Sequence, residues 1–432
     1  MSILVLPDAA RHRAAAGVGA ALAPFAIGLL AVAVVVWAVH RQIVGMPTGS
    51  GWIDTYAYLD AVGKLFHSPA HLYDAARSQL TAVAAQRAFL YPPSALIPFV
   101  VLEPIQTAFG TAAAASVWVI ADGAALIMAV LLLCRSARLG RWNTSLVLLL
   151  ACGSAPTLLE IGSGQVNGLL LLLVALAIRD AGSRREALWL GLAIALKPVA
   201  PLLLLVPLCR GRYQNTLVAA AIAAGLNILM LPLVGFANEW FYLTVFLPFL
   251  SSHVVSDLNN LSPSNALQVL IGGRLISPSD PVAITSVDGA ALAGLLGTLV
   301  RFTVAGLAAV AMRRARTDSV AIAIALAVAP LIAATAWGHY YILLLPLLIV
   351  ELAVLQWRSR LYFLGLAFFL AFSSRSGGLW LPRIQGGMSL GTLLSLLHSL
   401  IFVAACWGGV IAVVYTTVRR EREGAVHLEE AA

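Results

Sequence analysis

Long apolar runs recur along the whole chain, separated by short stretches that carry the charges, glycines and prolines. The first covers 17–40, behind Arg11 and Arg13. It is longer than the apolar core of a signal peptide and lacks a convincing cleavage site, so it predicts a retained signal-anchor helix. Further runs lie at about 111–134, 144–158, 166–178, 187–209, 214–233, 290–312, 318–335, 340–356, 361–373 and 390–417. The run 187–209 is broken at Leu196-Lys197-Pro198, with Arg184 and Arg185 before it and Arg210 and Arg212 after it. That pattern predicts two short helices entering and leaving on the same side. Counting them separately, the periodicity predicts an all-α polytopic membrane protein of about 12 transmembrane helices, forming one integral membrane domain over 1–432.

Two segments between runs are long, 43–92 and 251–289, and neither reads as a folded soluble domain. In the first, 54–66 places Tyr58, Ala61, Val62 and Leu65 at i, i+3, i+4 and i+7. This spacing predicts an amphipathic helix lying along the interface. A second candidate helix is 75–89. The stretches 94–108 and 241–251 are short and Pro-flanked and read as re-entrant or interfacial.

Composition agrees with the pattern. Of the 432 residues, 61% are hydrophobic and 11% are charged, with mean hydropathy +0.93. A soluble domain carries about 25% charged residues, and disorder needs low hydrophobicity and high charge, so both are excluded. The net charge of +8 does not mark a nucleic-acid partner, because the basic residues are scattered in twos and threes. They follow topology instead. Threading the runs with both termini in the cytoplasm, including a tail at 418–432, puts about two thirds of the Lys and Arg inside, as the positive-inside rule requires. A multi-pass plasma-membrane protein with 43–92 and 251–289 on the outer face is the expectation. Cys134, Cys152, Cys209 and Cys406 lie in or at the ends of apolar runs at no metal-ligand spacing. Neither a disulfide framework nor a metal site is expected, and no cofactor is implied.

Polar residues at the outer ends of spans carry the chemistry. Asp54 sits among Trp52, Tyr56 and Tyr58. A partly desolvated carboxylate there can act as a general base; equally, Asp before a helix is a favoured N-cap. Tyr91 leads the rigid Tyr91-Pro92-Pro93 element, which either starts a helix or lines a site. Glu160 and Gly162-Ser163-Gly164-Gln165-Val166-Asn167 form a turn where Gln165 and Asn167 either cap helices or bind sugar hydroxyls. Lys197 at the hairpin apex is a snorkelling anchor or an anion ligand. His339, in Trp337-Gly338-His339, opens a span at its outer end, where free amides attract phosphate; an aromatic belt explains Trp337 and Tyr341 equally well. Arg375 and Arg383 pair with lipid headgroups or with a lipid-linked phosphate.

The order of these motifs resembles glycosyltransferase family 87. The residues are Asp54 and Tyr58, Tyr91-Pro92-Pro93, Gly164-Gln165-Val166-Asn167, Gly191 to Lys197, and Trp337-Gly338-His339, running from about 50 to 345. The resemblance implies a GT-C type fold and a polyprenyl-phosphate sugar donor used on the outer face. Mycobacterial members are α-1,2-mannosyltransferases of phosphatidylinositol mannoside and lipomannan synthesis. It therefore implies an inverting transferase that uses polyprenyl-phosphate-mannose and a glycolipid acceptor among membrane lipids. Asp54 is then the catalytic base, and His339, Lys197, Arg375 and Arg383 bind phosphate. Tyr58, Tyr91, Glu160, Gln165, Asn167 and Trp337 would contact sugar or acceptor. Tyr340 stands where the family often has a second His, and Asn260-Leu261-Ser262 where it has Asn-Gln-Ser. A lipid transporter or flippase is the competing reading, since broken helices also serve there.

Overall fold

The computed structural model describes residues 8–45, 53–79, 89–197, 200–252, 260, 262–264, 267, 290–315 and 317–354. The runs 361–373 and 390–417, the tail 418–432, Arg375 and Arg383 lie outside the described residues, as do Cys406 and most of 251–289. Helices dominate what is described. The first part holds α1 (Asp8–Gly45), α2 (Ile53–His67), α3 (Asp74–Gln79), α4 (Ile97–Val100), α5 (Glu103–Phe109) and α6 (Thr111–Ser136). The middle holds α7 (Arg141–Gly153), α8 (Ala155–Ser163), α9 (Asn167–Arg179), α10 (Arg184–Leu196) and α11 (Leu205–Cys209). Then come α12 (Tyr213–Val234), α13 (Phe236–Phe241), α14 (Leu247–Ser252), α15 (Ala290–Arg314), α16 (Asp318–Ile332) and α17 (Leu345–Val354).

Four of these contain a stretch long and apolar enough to cross a membrane: Ala23–Arg41 within α1, then α6, α12 and Gly294–Arg314 within α15. The pair α7–α8 passes the same test but bends by 50°. The bend follows from sequence. Ser154 leaves the helical region and caps α8 through Thr157 N–H, and Pro156 occupies the first turn, where its missing N–H costs nothing. Among the described residues the count is thus four spans, or five with the bent pair, and the shorter apolar helices α9, α16 and Gly338–Val350 are too brief to cross alone. The expected twelve is not reached in this part of the chain. Large apolar side chains stand exposed on α1 (Phe25, Trp37), α12 (Leu217, Leu229) and α15 (Leu295, Phe302). Such faces on long apolar helices suit lipid rather than water.

Helix α6 is the most enclosed long helix and packs along α9; α9 packs on α10, and α10 on α12. The break at Lys197 is real: its backbone is extended, a 3-10 turn follows over Ala200–Leu204, and α11 returns. Both feet of this hairpin meet. Arg212 Nη1 donates to Glu186 Oε2 at 2.5 Å, Gly182 N–H to the same oxygen at 2.8 Å, and Arg212 and Arg210 both reach Asp318. Helices α9, α10 and α16 run between this charged end and the opposite end, where Asn167, Lys197 and Trp337 stand. A 13-residue helix such as α9 or α10 spans about 20 Å at 1.5 Å per residue.

Helix α2 is observed at the place its periodicity predicts, with Ala61, Val62 and Leu65 buried and Asp60 bridging to Lys64 on its outer face. Of the second interfacial candidate, 75–79 within α3 and Phe89, which is outside any helix, lie among the described residues. The 94–108 stretch forms a 3-10 turn and the short helices α4 and α5; 241–251 forms the end of α13, a π-helical turn over Tyr242–Phe246, and α14.

Candidate active site

Asp54 lies in the first turn of α2 rather than before it, so it is not the N-cap. Its carboxylate is hydrogen-bonded by Gln165 and feels the charge of Lys197. Burial is the largest influence on it and raises its pKa from the ordinary aspartate value; Gln165 and Lys197 pull the other way. Gln165 is itself held on three sides. Its Oε1 accepts from Tyr91 Oη at 3.1 Å and its backbone carbonyl from Trp118 Nε1 at 3.0 Å. The preceding residue, Gly164, has φ +66° and its carbonyl accepts from Thr55 Oγ1 at 2.7 Å. The residue beside Asp54 therefore clasps the residue before Gln165. A Cβ on Gly164 would come within 1.7 Å of that hydroxyl, so both space and φ require glycine there.

Lys197 is 0% exposed, which removes the snorkelling reading. Its Nζ donates to Asn167 Oδ1 at 2.6 Å and stands 4.2 Å from the ring centre of Tyr340. Asn167 passes the interaction on: its Nδ2 donates to Glu160 Oε2 at 2.6 Å and its backbone N–H to Glu160 Oε1 at 2.6 Å. The same Nδ2 lies 3.4 Å from the carbonyl of His339. Asn167 and Glu160 are fully buried, and their polar atoms are turned on one another rather than toward open space. Tyr58 is likewise enclosed, stacked on Phe99 at 4.3 Å and Tyr91 at 5.1 Å. His339 is buried, edge-on to Tyr340 at 4.9 Å, and its Nε2 has no hydrogen-bond partner. Trp337 is half-buried and its backbone pairs with Asn260, whose Oδ1 accepts from Ala336 N–H at 2.9 Å.

Asp54, Gln165 and Tyr91 thus form one hydrogen-bonded set and Lys197, Asn167 and Glu160 a second beside His339, joined by the charge of Lys197 acting on Asp54. Sequence reasoning passed over Asp122. It is a buried carboxylate inside α6, and its Oδ1 accepts from Leu169 N–H at 2.9 Å, capping the first turn of α9 from a neighbouring helix. A lone Asp within an apolar run was the available signal. Gly168 makes the approach possible: a Cβ there would sit 2.3 Å from the Asp122 carbonyl oxygen and 2.6 Å from Oδ2. Because the first obstacle is backbone, Gly168→Ala must part α6 from α9. We expect it to cost about 1–3 kcal/mol, the range for overpacking, read as a lower thermal midpoint in detergent; an unchanged midpoint would contradict this close packing.

Among the described residues no three His, Cys, Asp or Glu gather in a metal-binding group, and Cys134, Cys152 and Cys209 are free thiols.

Residues 89–334, more than half of the chain, match the model of glycosyltransferase family 87. The chain belongs to glycosyltransferase family 87. The matched part of this family 87 glycosyltransferase contains Tyr91, Asp122, Glu160, Gln165, Asn167 and Lys197, while Asp54 precedes it and Trp337 and His339 follow it. No curated protein and no solved structure matches the family 87 chain. Membership in a transferase family does not favour the transporter reading.

Proposed function

We propose that this family 87 enzyme moves mannose from polyprenyl-phosphate-mannose to a glycolipid acceptor of the phosphatidylinositol mannoside or lipomannan type. Transfer takes place at the outer face of the plasma membrane and forms an α-1,2 linkage. A GT-C type fold with both termini in the cytoplasm is part of this reading, which draws on the likeness of the motifs to the mycobacterial mannosyltransferase PimE. The observation that carries it is the half-buried Asp54 carboxylate, hydrogen-bonded by Gln165 and acted on by the charge of the buried Lys197 ammonium.

In this mechanism Asp54 takes the proton of an acceptor hydroxyl. The freed oxygen bonds to the anomeric carbon from the side opposite the phosphate. The bond from that carbon to the phosphate oxygen breaks with its electron pair, so a β-linked donor yields an α-glycoside. Charge grows on the departing phosphate. Lys197 keeps ammonium hydrogens beyond the one given to Asn167, and His339 offers an unpartnered Nε2; both suit that oxygen. Tyr91, Gln165, Asn167 and Glu160 hold the base and the lysine in place. Arg375 and Arg383 are proposed to contribute to phosphate binding from outside the described residues.

The test is transfer by the purified protein in lipid nanodiscs, with polyprenyl-phosphate-mannose and phosphatidylinositol mannosides. An extended glycolipid is the expected product; no product with any of several acceptors sinks the reading. A base must be ionised to act, and the Asp54 pKa is raised by burial. Activity is therefore expected to fall as pH falls through a midpoint above the ordinary aspartate range. An acidic limb of the kcat/KM profile at that ordinary range would show a base exposed to water instead.

A further inference from the structure

A second polar cluster lies at the same end of the molecule and is not used by the mechanism above. Helix α12 ends at Gly235, and α13 then carries Asn238 and Glu239. Asn238 Nδ2 donates to the carbonyl of Pro69 at 2.7 Å, tying α13 to the segment just after α2, which bears Asp54. Glu239 is 7% exposed and its Oε2 has no hydrogen-bond partner. One turn on, Tyr242 is 2% exposed and its Oη is also unpartnered. Tyr242 begins the π-helical turn, a distortion found often at functional sites. Its ring stands 5.7 Å from that of Tyr73, whose Oη donates to the carbonyl of Tyr91 at 2.7 Å. Through Tyr73 the cluster thus reaches Tyr91, which bonds Gln165 beside Asp54. At its rim the exposed Arg77 lays its guanidinium 3.8 Å from the ring centre of Phe241, and no ion pair is formed with it among the described residues.

Packing does not explain these groups. A buried carboxylate with a free oxygen costs stability that a leucine would not, and buried polar atoms in folded proteins almost always find a partner. Burial pushes the Glu239 carboxyl up to about 7. A carboxylate and a phenol among aromatic rings suit the hydroxyls and C–H faces of a sugar. An unpaired guanidinium at the rim suits a lipid phosphate.

We propose that Glu239, Tyr242 and Arg77 form a subsite for an anionic glycolipid, with the carboxylate and phenol holding a sugar hydroxyl of the acceptor and the guanidinium its phosphate. The assignment to the acceptor rests on the transferase reading; the chemistry of the subsite does not.

The experiment measures binding of phosphatidylinositol mannoside, and separately of polyprenyl-phosphate-mannose, to the full-length protein in detergent, alongside thermal unfolding. Glu239→Leu and Tyr242→Phe are each expected to weaken glycolipid binding about tenfold or more, the equivalent of one lost hydrogen bond to a charged group. The thermal midpoint of Glu239→Leu should hold or rise, which a structural role would not produce. Arg77→Ala should weaken the same ligand and flatten its salt dependence. Binding of polyprenyl-phosphate-mannose should stay unchanged in all three. Wild-type affinity in the variants, or no glycolipid binding by the wild type, overturns the subsite. Loss confined to the polyprenyl ligand means that the donor's sugar sits there and overturns the acceptor assignment. Glycolipid binding that depends on Glu239 in a protein showing no transfer leaves the subsite standing and sinks the transferase reading.

Discussion

Asp54→Asn is expected to lower kcat for sugar transfer by about 10²–10⁴-fold, the contribution of one positioned general base, with little change in donor KM. The substitution keeps the shape of the side chain. An amide can still pair with Gln165, which bonds Asp54 in the native protein. It removes only the ability to take a proton. The protein should remain folded, with a thermal midpoint at or above that of the wild type, because a charge held away from water is no longer needed. Single-turnover transfer and thermal unfolding on the same preparation separate chemistry from folding. Turnover within a few-fold of wild type would remove Asp54 from the reaction.

Lys197→Met should have the largest effect on stability. Lys197 is enclosed, bonded to Asn167 and thereby linked to Glu160. Its ammonium is the buried cation nearest to this carboxylate network, and the charge of Asp122 also acts on it. Removing one member of a buried charge set typically costs about 3–5 kcal/mol, because the remaining charge has lost its compensation. We expect a steep fall in thermal midpoint and no transfer. The double substitution Lys197→Met with Glu160→Gln should regain much of the stability, since both charges leave together, and regain none of the activity. A midpoint equal to wild type in the single variant would mean that the lysine is not electrostatically tied to Glu160. Recovery of transfer in the double variant would remove the ammonium from phosphate stabilisation.

Much of the scaffold could be read along the chain. Apolar runs near 111–134, 214–233 and 290–312 correspond to α6, α12 and α15, because in a low-dielectric surround a helix satisfies its own backbone and needs only length and apolar side chains. The broken hairpin at Lys197 was legible for a local reason: Pro198 prevents continuation and the arginines at both feet mark a common side. The bend at Ser154 was not anticipated from a run read as continuous over 144–158, although Ser154 and Pro156 carry its cause. Among the polar residues, the types singled out were informative and their partners were not. Gln165 and Asn167 stood out as helix caps or hydroxyl binders alike; the fold commits Gln165 to Tyr91 and Asp54, and Asn167 to Glu160 and Lys197. Asp122 and Glu239 were passed over because one acidic residue in a helix says nothing of its neighbours.

Membrane residence, helical class and the motif order that leads to family 87 were decided by local composition and spacing, since the hydrophobic effect and backbone satisfaction act on each segment separately. Which carboxylate faces which cation was decided by packing. Asn167 and Glu160 are seven residues apart, but Lys197 is thirty residues from Asn167 and His339 is 172. Such distances close only when α6, α9 and α10 pack against one another, and a glycine at 168 permits the carboxylate of Asp122 to reach the next helix.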